Sequence, residues 1–146
     1  MSCTHESPET CYNNKNCRIK KEYNKQANGY YADIEKLTLE NMNYREVLYT
    51  TSNMQLVLMS LKPGEEIGFE AHKESSQFFR FESGEGLAIV AGKEYNVKNG
   101  DVVVVPPATL HNIINVSKKD RLQLYTIYTP PTHPPGTIQT DKPLND

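Results

Sequence analysis

Within the segment from Gly64 to Gly84, Glu70, His72 and Gln77 are side chains of types that bind metal ions. Glu70 and His72 lie two residues apart, so on a strand both would point to the same face. A tight hairpin over residues 73–76 would then bring Gln77 back on the neighbouring strand. We therefore expect these three polar groups to converge on an apolar interior, in an arrangement suited to holding a cation.

A second segment, from Gly100 to Asn115, contains another histidine in a defined position. Residues 101–105 are too apolar for a solvent-facing strand, and the two prolines that follow end its pairing. Beyond that break, His111 shares a strand face with Ile113 and Asn115 by the period of two. The pattern predicts a second polar group on the inner face of a strand.

Between these segments, and on both sides of them, short runs of Val, Leu, Ile, Tyr and Phe alternate with Gly, Pro, Asn and Ser, which is typical of many short strands. The predicted strands are Arg45 to Tyr49, Met54 to Leu61, Gly68 to His72, Gln77 to Phe81, Gly86 to Val90, Glu94 to Val97, Asp101 to Val105, Leu110 to Val116 and Leu122 to Tyr128. Many short strands with turn residues between them favour an all-β sandwich or barrel. Residues 30–43 fit neither period cleanly, so a short helix and an edge strand are both possible there. The proline-rich tail from Pro130 is predicted as loop or edge.

These two segments resemble, in order and spacing, the two motifs of the cupin family. Glu70 and Gln77 stand where that family commonly has a histidine and a glutamate, and Ala108 occupies a common glycine position. The resemblance covers about Arg45 to Pro130. Within the family, this stretch is similar to the small mannose-6-phosphate-isomerase-like cupins. The resemblance implies an antiparallel double-stranded β-helix, or jelly roll, for the domain at residues 30–146. Residues 1–29 are polar and show no apolar period, which predicts a poorly ordered tail.

Two histidines and one carboxylate form a ligand set that suits non-haem iron, and a glutamine oxygen can complete a mixed nitrogen and oxygen site. We therefore interpret Glu70, His72, Gln77 and His111 as ligands of one divalent ion of Fe, Mn, Ni, Cu or Zn. Each has an alternative interpretation: a histidine as a structural residue, Glu70 as a general base with its pKa raised by desolvation, and Gln77 as a satisfied core amide.

Other side chains are weaker candidates. Tyr125 or Tyr128 could project a hydroxyl into the barrel mouth, although packing in the core is the simpler interpretation. His133 is expected to be an exposed loop residue, and Arg80 is expected to face solvent or a partner subunit. Cys3, Cys11 and Cys17 lack the paired spacing of a zinc finger and are expected to be reduced thiols.

Composition limits the partners. The 146 residues carry a formal net charge of −2, which gives no footprint for nucleic acid. No stretch approaches the roughly 18 consecutive apolar residues of a membrane-spanning helix, and the N-terminus lacks signal-peptide order, so we expect a cytoplasmic protein. The expected partners are a small molecule and a second copy of the chain in a homodimer.

The function predicted on these grounds is metal binding, in one of two settings. The first is an enzyme acting on a small polar or anionic metabolite by oxygenase-type or sugar-isomerase-like chemistry. The second is a non-catalytic module that binds a sugar or an organic acid. A structural barrel without metal is the third alternative, and the sequence does not identify a substrate.

Overall fold

The computed structural model describes residues 28–144, and the described residues from Ala32 onward belong to one compact unit. The predicted tail at residues 1–29 therefore lies almost wholly outside the described residues, as do the three cysteines. The elements in chain order are α1 (Ile34–Glu40), β1 (Arg45–Thr50), β2 (Gln55–Leu61), β3 (Ser76–Ser83), β4 (Glu85–Val90), β5 (Lys93–Lys98), β6 (Val102–Val105), β7 (His111–Asn115), β8 (Leu122–Thr129) and β9 (Ile138–Gln139).

The strands form two antiparallel sheets. One has the order β6-β3-β8-β2-β1-β9 and the other has the order β5-β4-β7. Each sheet turns alternate residues inward, so the buried side chains of β3, such as Phe79 and Phe81, pack with Ile113 and Leu124 in a common core. The all-β, antiparallel double-stranded barrel that the sequence predicts is confirmed.

One predicted strand does not form. Residues 68–72 make no continuous strand. The chain here lies beside β7 and pairs with it only at two isolated bridges, Glu66 to Ile114 and Glu70 to His111. Between the bridges the Gly68 amide donates to the side chain of Asn112 rather than to a backbone carbonyl, which interrupts the ladder. The expected hairpin over residues 73–76 is therefore wrong, because this segment lies beside β7 while β3 pairs with β6 and β8.

The segment of uncertain type forms a short helix, α1. Asp33 caps it by accepting a hydrogen bond from the Lys36 amide, and its last turn is held by Gln123, whose amide donates to the carbonyls of Leu39 and Asn41. Across residues 28–144, no helix combines the length and the apolar character needed to cross a membrane.

The ends of the barrel are tied by buried polar groups. Asn115, which shares the inner face of β7 with His111, donates to the carbonyls of Leu61, Lys62 and Asp120 at the end away from His111. Beyond Pro130 the chain forms loops and the edge strand β9, which pairs with β1. The prediction of loop or edge for this tail is confirmed.

Gly84, between β3 and β4, offers a test of how closely the chain at Arg121 approaches it, just before β8. Its φ of +97° is in the left-handed region, and a methyl group at this position would collide with the Arg121 carbonyl. Gly92 has a φ of +80° with open space around it, so it controls for backbone strain alone. We expect Gly92→Ala to cost about 1 kcal/mol and Gly84→Ala about 2–4 kcal/mol, because overpacking adds about 1–3 kcal/mol. Equal urea midpoints for the two variants would contradict the close approach.

Candidate metal centre

The predicted ligands come from both sheets. Glu70 and His72 lie on the segment beside β7, His111 is the first residue of β7, and Gln77 lies on β3 in the opposite sheet. All four side chains turn into the space between the sheets at one end of the barrel. The structure thus brings the four residues together, although Gln77 arrives from across the barrel rather than through a local hairpin.

Their ligand atoms are close. Glu70 Oε1 lies 3.2 Å from His72 Nε2 and 3.6 Å from His111 Nε2. Potential ligand atoms of these three residues all lie within 4.8 Å of one another. Gln77 Oε1 lies 3.2 Å from His111 Nε2. With metal–ligand bonds of about 2.1 Å, adjacent ligands lie about 3.0 Å apart in an octahedron and about 3.4 Å apart in a tetrahedron, so these separations fit one ion.

Hydrogen bonds orient the two buried members. His111 Nδ1 lies 2.8 Å from the Thr109 carbonyl, to which only an N–H can donate, so Nε2 is left facing the site. Gln77 Nε2 donates to Thr126 Oγ1 at 3.0 Å, which turns its oxygen toward His111. Lone pairs of His111, Gln77 and Glu70 therefore point at one another, and either a proton on Nε2 or a bound cation satisfies them.

The loop that precedes β7 carries the departure from the second motif. Ala108 adopts a φ of +58°, the left-handed conformation that a glycine would adopt more easily. Its amide donates to the His72 carbonyl at 2.8 Å, so this turn links the backbone of His72 to the loop before His111. The alanine therefore keeps the turn that the motif requires.

Charge in the site is set by mutual contacts. Burial raises the pKa of Glu70, but the nearby His111, the hydrogen bond with His72 and the charges of both rings lower that pKa to about 2. Burial lowers the pKa of His111, whereas Glu70 and the bond to the Thr109 carbonyl raise it above the ordinary value. The alternative of Glu70 as a general base with a raised pKa is not favoured, because the two imidazoles outweigh burial. A carboxylate of such low pKa is a poor general base.

The site is half enclosed. The side chains of His111 and Gln77 are buried, whereas those of His72 and Glu70 are 18% and 32% exposed. The Phe79 ring stands edge-on to His111, with centroids 6.0 Å apart, and closes the inner side. Access from solvent is therefore on the side of Glu70 and His72.

Of the weaker candidates, Tyr128 and His133 reach the site region. Tyr128 is buried with its ring edge-on to His72, and His133 Nε2 lies 3.3 Å from its hydroxyl. Tyr125 points to the other face and contacts Phe78, while Arg80 pairs with Glu82 at 3.1 Å. His133 is half-buried rather than exposed, so that expectation is wrong. The contact depends on a loop folding back over the barrel, for which the sequence offers no periodic signal.

Comparisons with known proteins agree with this architecture. Residues 57–128 match the family model of the cupin domain. The chain is 45% identical over 118 residues to the uncharacterized protein L612 of Acanthamoeba polyphaga mimivirus, covering 78% of this chain and 73% of L612. It is 39% identical over 120 residues to the uncharacterized protein YrkC of Bacillus subtilis, covering 77% of this chain and 63% of YrkC. The crystal structure of BH2720 from Bacillus halodurans superposes with a TM-score of 0.74 at 35% identity, covering 76% of this chain and 88% of that one.

The proximity of Glu70 and His111 can be measured by titration. In metal-free protein, Glu70→Gln should lower the pKa of His111, because it removes the carboxylate that opposes burial. Glu66→Gln is the matched control, since Glu66 contacts Asn112 and not His111. Imidazole NMR shifts followed against pH report the change. A His111 pKa that is the same in Glu70→Gln as in wild type would contradict the assigned contact.

Proposed function

Because this chain belongs to the cupin family, we propose that Glu70, His72 and His111 hold one divalent metal ion and that the Gln77 oxygen is the fourth protein ligand. Nitrogen and oxygen donors of this kind suit Fe, Mn, Ni, Cu or Zn. The proposal rests chiefly on the lone pair of His111 Nε2, which faces two oxygen acceptors while Nδ1 is bonded to a carbonyl. A cation at that point satisfies all three groups.

The ligand set also determines the charge that a substrate meets. One carboxylate, two neutral imidazoles and one neutral amide leave a divalent ion with one net positive charge. Such a site favours anionic ligands. We infer a small anionic or oxygen-rich metabolite, which would enter on the half-exposed side of Glu70 and His72.

We propose an enzyme as the first assignment, of the oxygenase or sugar-isomerase type. A bound metal ion supplies Lewis acidity and, if redox-active, electron transfer. The residues of the chain hold the His111 proton at Nδ1 through Thr109 and turn the Gln77 oxygen inward through Thr126. Phe79 keeps water from the inner side of His111. These contacts preorganise the donors, which lowers the reorganisation needed when a substrate binds.

Non-catalytic binding of a sugar or organic acid is the second candidate. The polar neighbours of the donor set are already engaged, since Thr126 is bonded to Gln77 and the Tyr128 hydroxyl to His133. A site whose neighbouring hydroxyls are used internally suits holding a ligand more than moving its protons. A homodimer and a cytoplasmic location stay predictions.

The metal assignment is tested by removing one ligand at a time. Loss of a group that hydrogen-bonds a metal ligand typically weakens metal binding by about 10–100-fold. His111→Ala removes a ligand itself and should weaken Zn²⁺ or Fe²⁺ binding by more than that. Gln77→Ala should cost about 10-fold or less if water replaces the amide. Gln123→Ala is the matched control, because this buried amide supports α1 rather than the site. Isothermal titration and elemental analysis give the affinities and stoichiometry.

Wild-type protein that binds none of the five metals near one equivalent would refute this assignment. The barrel interior would then be a polar ligand cavity without metal.

Catalysis and binding are separated by a panel of small carboxylic acids and sugar phosphates offered to the metal-loaded protein. We expect at least one anion to raise the melting temperature by several degrees, because a ligand that binds only the native state stabilises it. Turnover or oxygen consumption with that same compound supports the enzyme. A stabilising ligand that is recovered unchanged, with no oxygen consumed, rejects the enzyme in favour of the binding module.

A further inference from the structure

The two histidines of the site are held in different ways. His111 is fixed by a hydrogen bond from Nδ1 to the Thr109 carbonyl. Within residues 28–144, the side-chain hydrogen bond recorded for His72 is the one between its Nε2 and Glu70. Histidines that bind metals almost always bond through the other nitrogen to a group that fixes the rotation of the ring. For His72, the ring contacts of the imidazole offer such a constraint.

The His72 ring contacts two other rings, the tilted ring of His111 at 5.6 Å and that of Tyr128, which lies outside the proposed ligand set. The rings of His72 and Tyr128 meet edge to face, with centroids 5.3 Å apart and planes at 90°. Tyr128 is 1% exposed, so the position of its ring is set by the surrounding protein rather than by solvent. An edge-to-face contact with a fixed ring limits how an imidazole rotates.

The Tyr128 hydroxyl is held from the far side by His133. His133 Nε2 lies 3.3 Å from that oxygen, and the two rings also meet edge to face at 5.2 Å. The backbone of His133 is fixed by Gln55, a buried residue of β2. Gln55 Oε1 accepts from the amides of Thr132 and His133, and its Nε2 donates to the His133 carbonyl at 2.7 Å.

The strand register explains why these groups meet. Tyr128 on β8 is paired with Gln77 on β3 and with Gln55 on β2, so the three lie in one row across the sheet. All three are buried and face inward. One end of the row supplies a proposed metal ligand, and the other end fastens the loop that carries His133.

We propose that Tyr128 is a positioning residue that fixes the rotation of His72, and that His133, fastened by Gln55, holds Tyr128 in place. This inference rests on the proposed metal site. It adds residues 55, 128 and 133 to that site as supports that contact the ligand His72 directly or through a neighbour. A support of this kind acts on the affinity and the geometry of the bound ion.

The test uses Co²⁺ with the full chain, because its visible absorption reports coordination geometry and its dissociation constant reports affinity. Tyr128→Leu removes the ring and should weaken Co²⁺ binding by about 10–100-fold and alter the absorption bands. Tyr125→Leu is the matched control, since Tyr125 lies on the same strand but contacts Phe78 on the other face. It should leave both readouts as in wild type.

Tyr128→Phe and His133→Ala remove the same hydrogen bond from opposite sides. Each should weaken Co²⁺ binding by about threefold to tenfold. Because Tyr128 also bonds to the Thr132 side chain, the loss in the double variant should be smaller than the product of the two single losses without equalling either one. These two variants keep the test valid if Tyr128→Leu does not fold. Wild-type affinity and absorption in Tyr128→Phe and His133→Ala, or in a folded Tyr128→Leu, would overturn the inference.

An additive double variant would also overturn it, since the two side chains would then act separately. Failure of the wild-type protein to bind Co²⁺ or any of the five metals named above is a different result, because it rejects the metal site itself. The two failures are thus distinguishable.

Discussion

Two backbone hydrogen bonds between Glu70 and His111 bring the two motifs to one point. Each residue donates its amide to the carbonyl of the other, at 3.0 Å in both cases. In an antiparallel pair of this kind the two side chains stand on the same face, a few ångströms apart. The carboxylate and the imidazole are thus neighbours because of main-chain geometry, before any attraction between them is considered. His72 then follows on the same face.

The amide at Gln77 matters to the balance of charge. Its oxygen and that of Glu70 both lie close to His111 Nε2. A second carboxylate at residue 77 would repel Glu70, and one of the two would be pushed toward its protonated form. With an amide there, Glu70 alone faces two imidazoles, which explains how its pKa falls to about 2 despite burial. The amide at residue 77 therefore keeps the site at one carboxylate without removing an oxygen donor.

Alternation along the strands, with turn residues between them, predicted an all-β sandwich or barrel and a shared face for Glu70 and His72, whereas the jelly roll was predicted from the resemblance to the cupin family. Alternation was not enough to predict which strands are neighbours. Residues 68–72 have the composition of a strand, but the Gly68 amide donates a hydrogen bond to the Asn112 side chain, and this bond interrupts their backbone ladder. The helix α1 stayed ambiguous because seven residues show too little periodicity, and its end is held by Gln123 from a distant strand.

The support of Tyr128 by Gln55 and His133 was missed for a related reason. Residues 55, 77 and 128 become neighbours only through the register of three strands, which sequence periodicity does not specify. His133 stands in a proline-rich loop whose composition predicts exposure. Its half-buried position depends on three hydrogen bonds between the buried amide of Gln55 and the loop backbone.

The two halves of the site consequently differ in freedom. His111 and Gln77 are buried, and each is held by a hydrogen bond to a group outside the site. Glu70 and His72 are part exposed, and His72 is oriented by ring contact rather than by a second hydrogen bond. Ring contacts constrain direction less strictly than hydrogen bonds do. When a ligand exchanges at this centre, the side chains of Glu70 and His72 would therefore move, while those of His111 and Gln77 keep the ion in place.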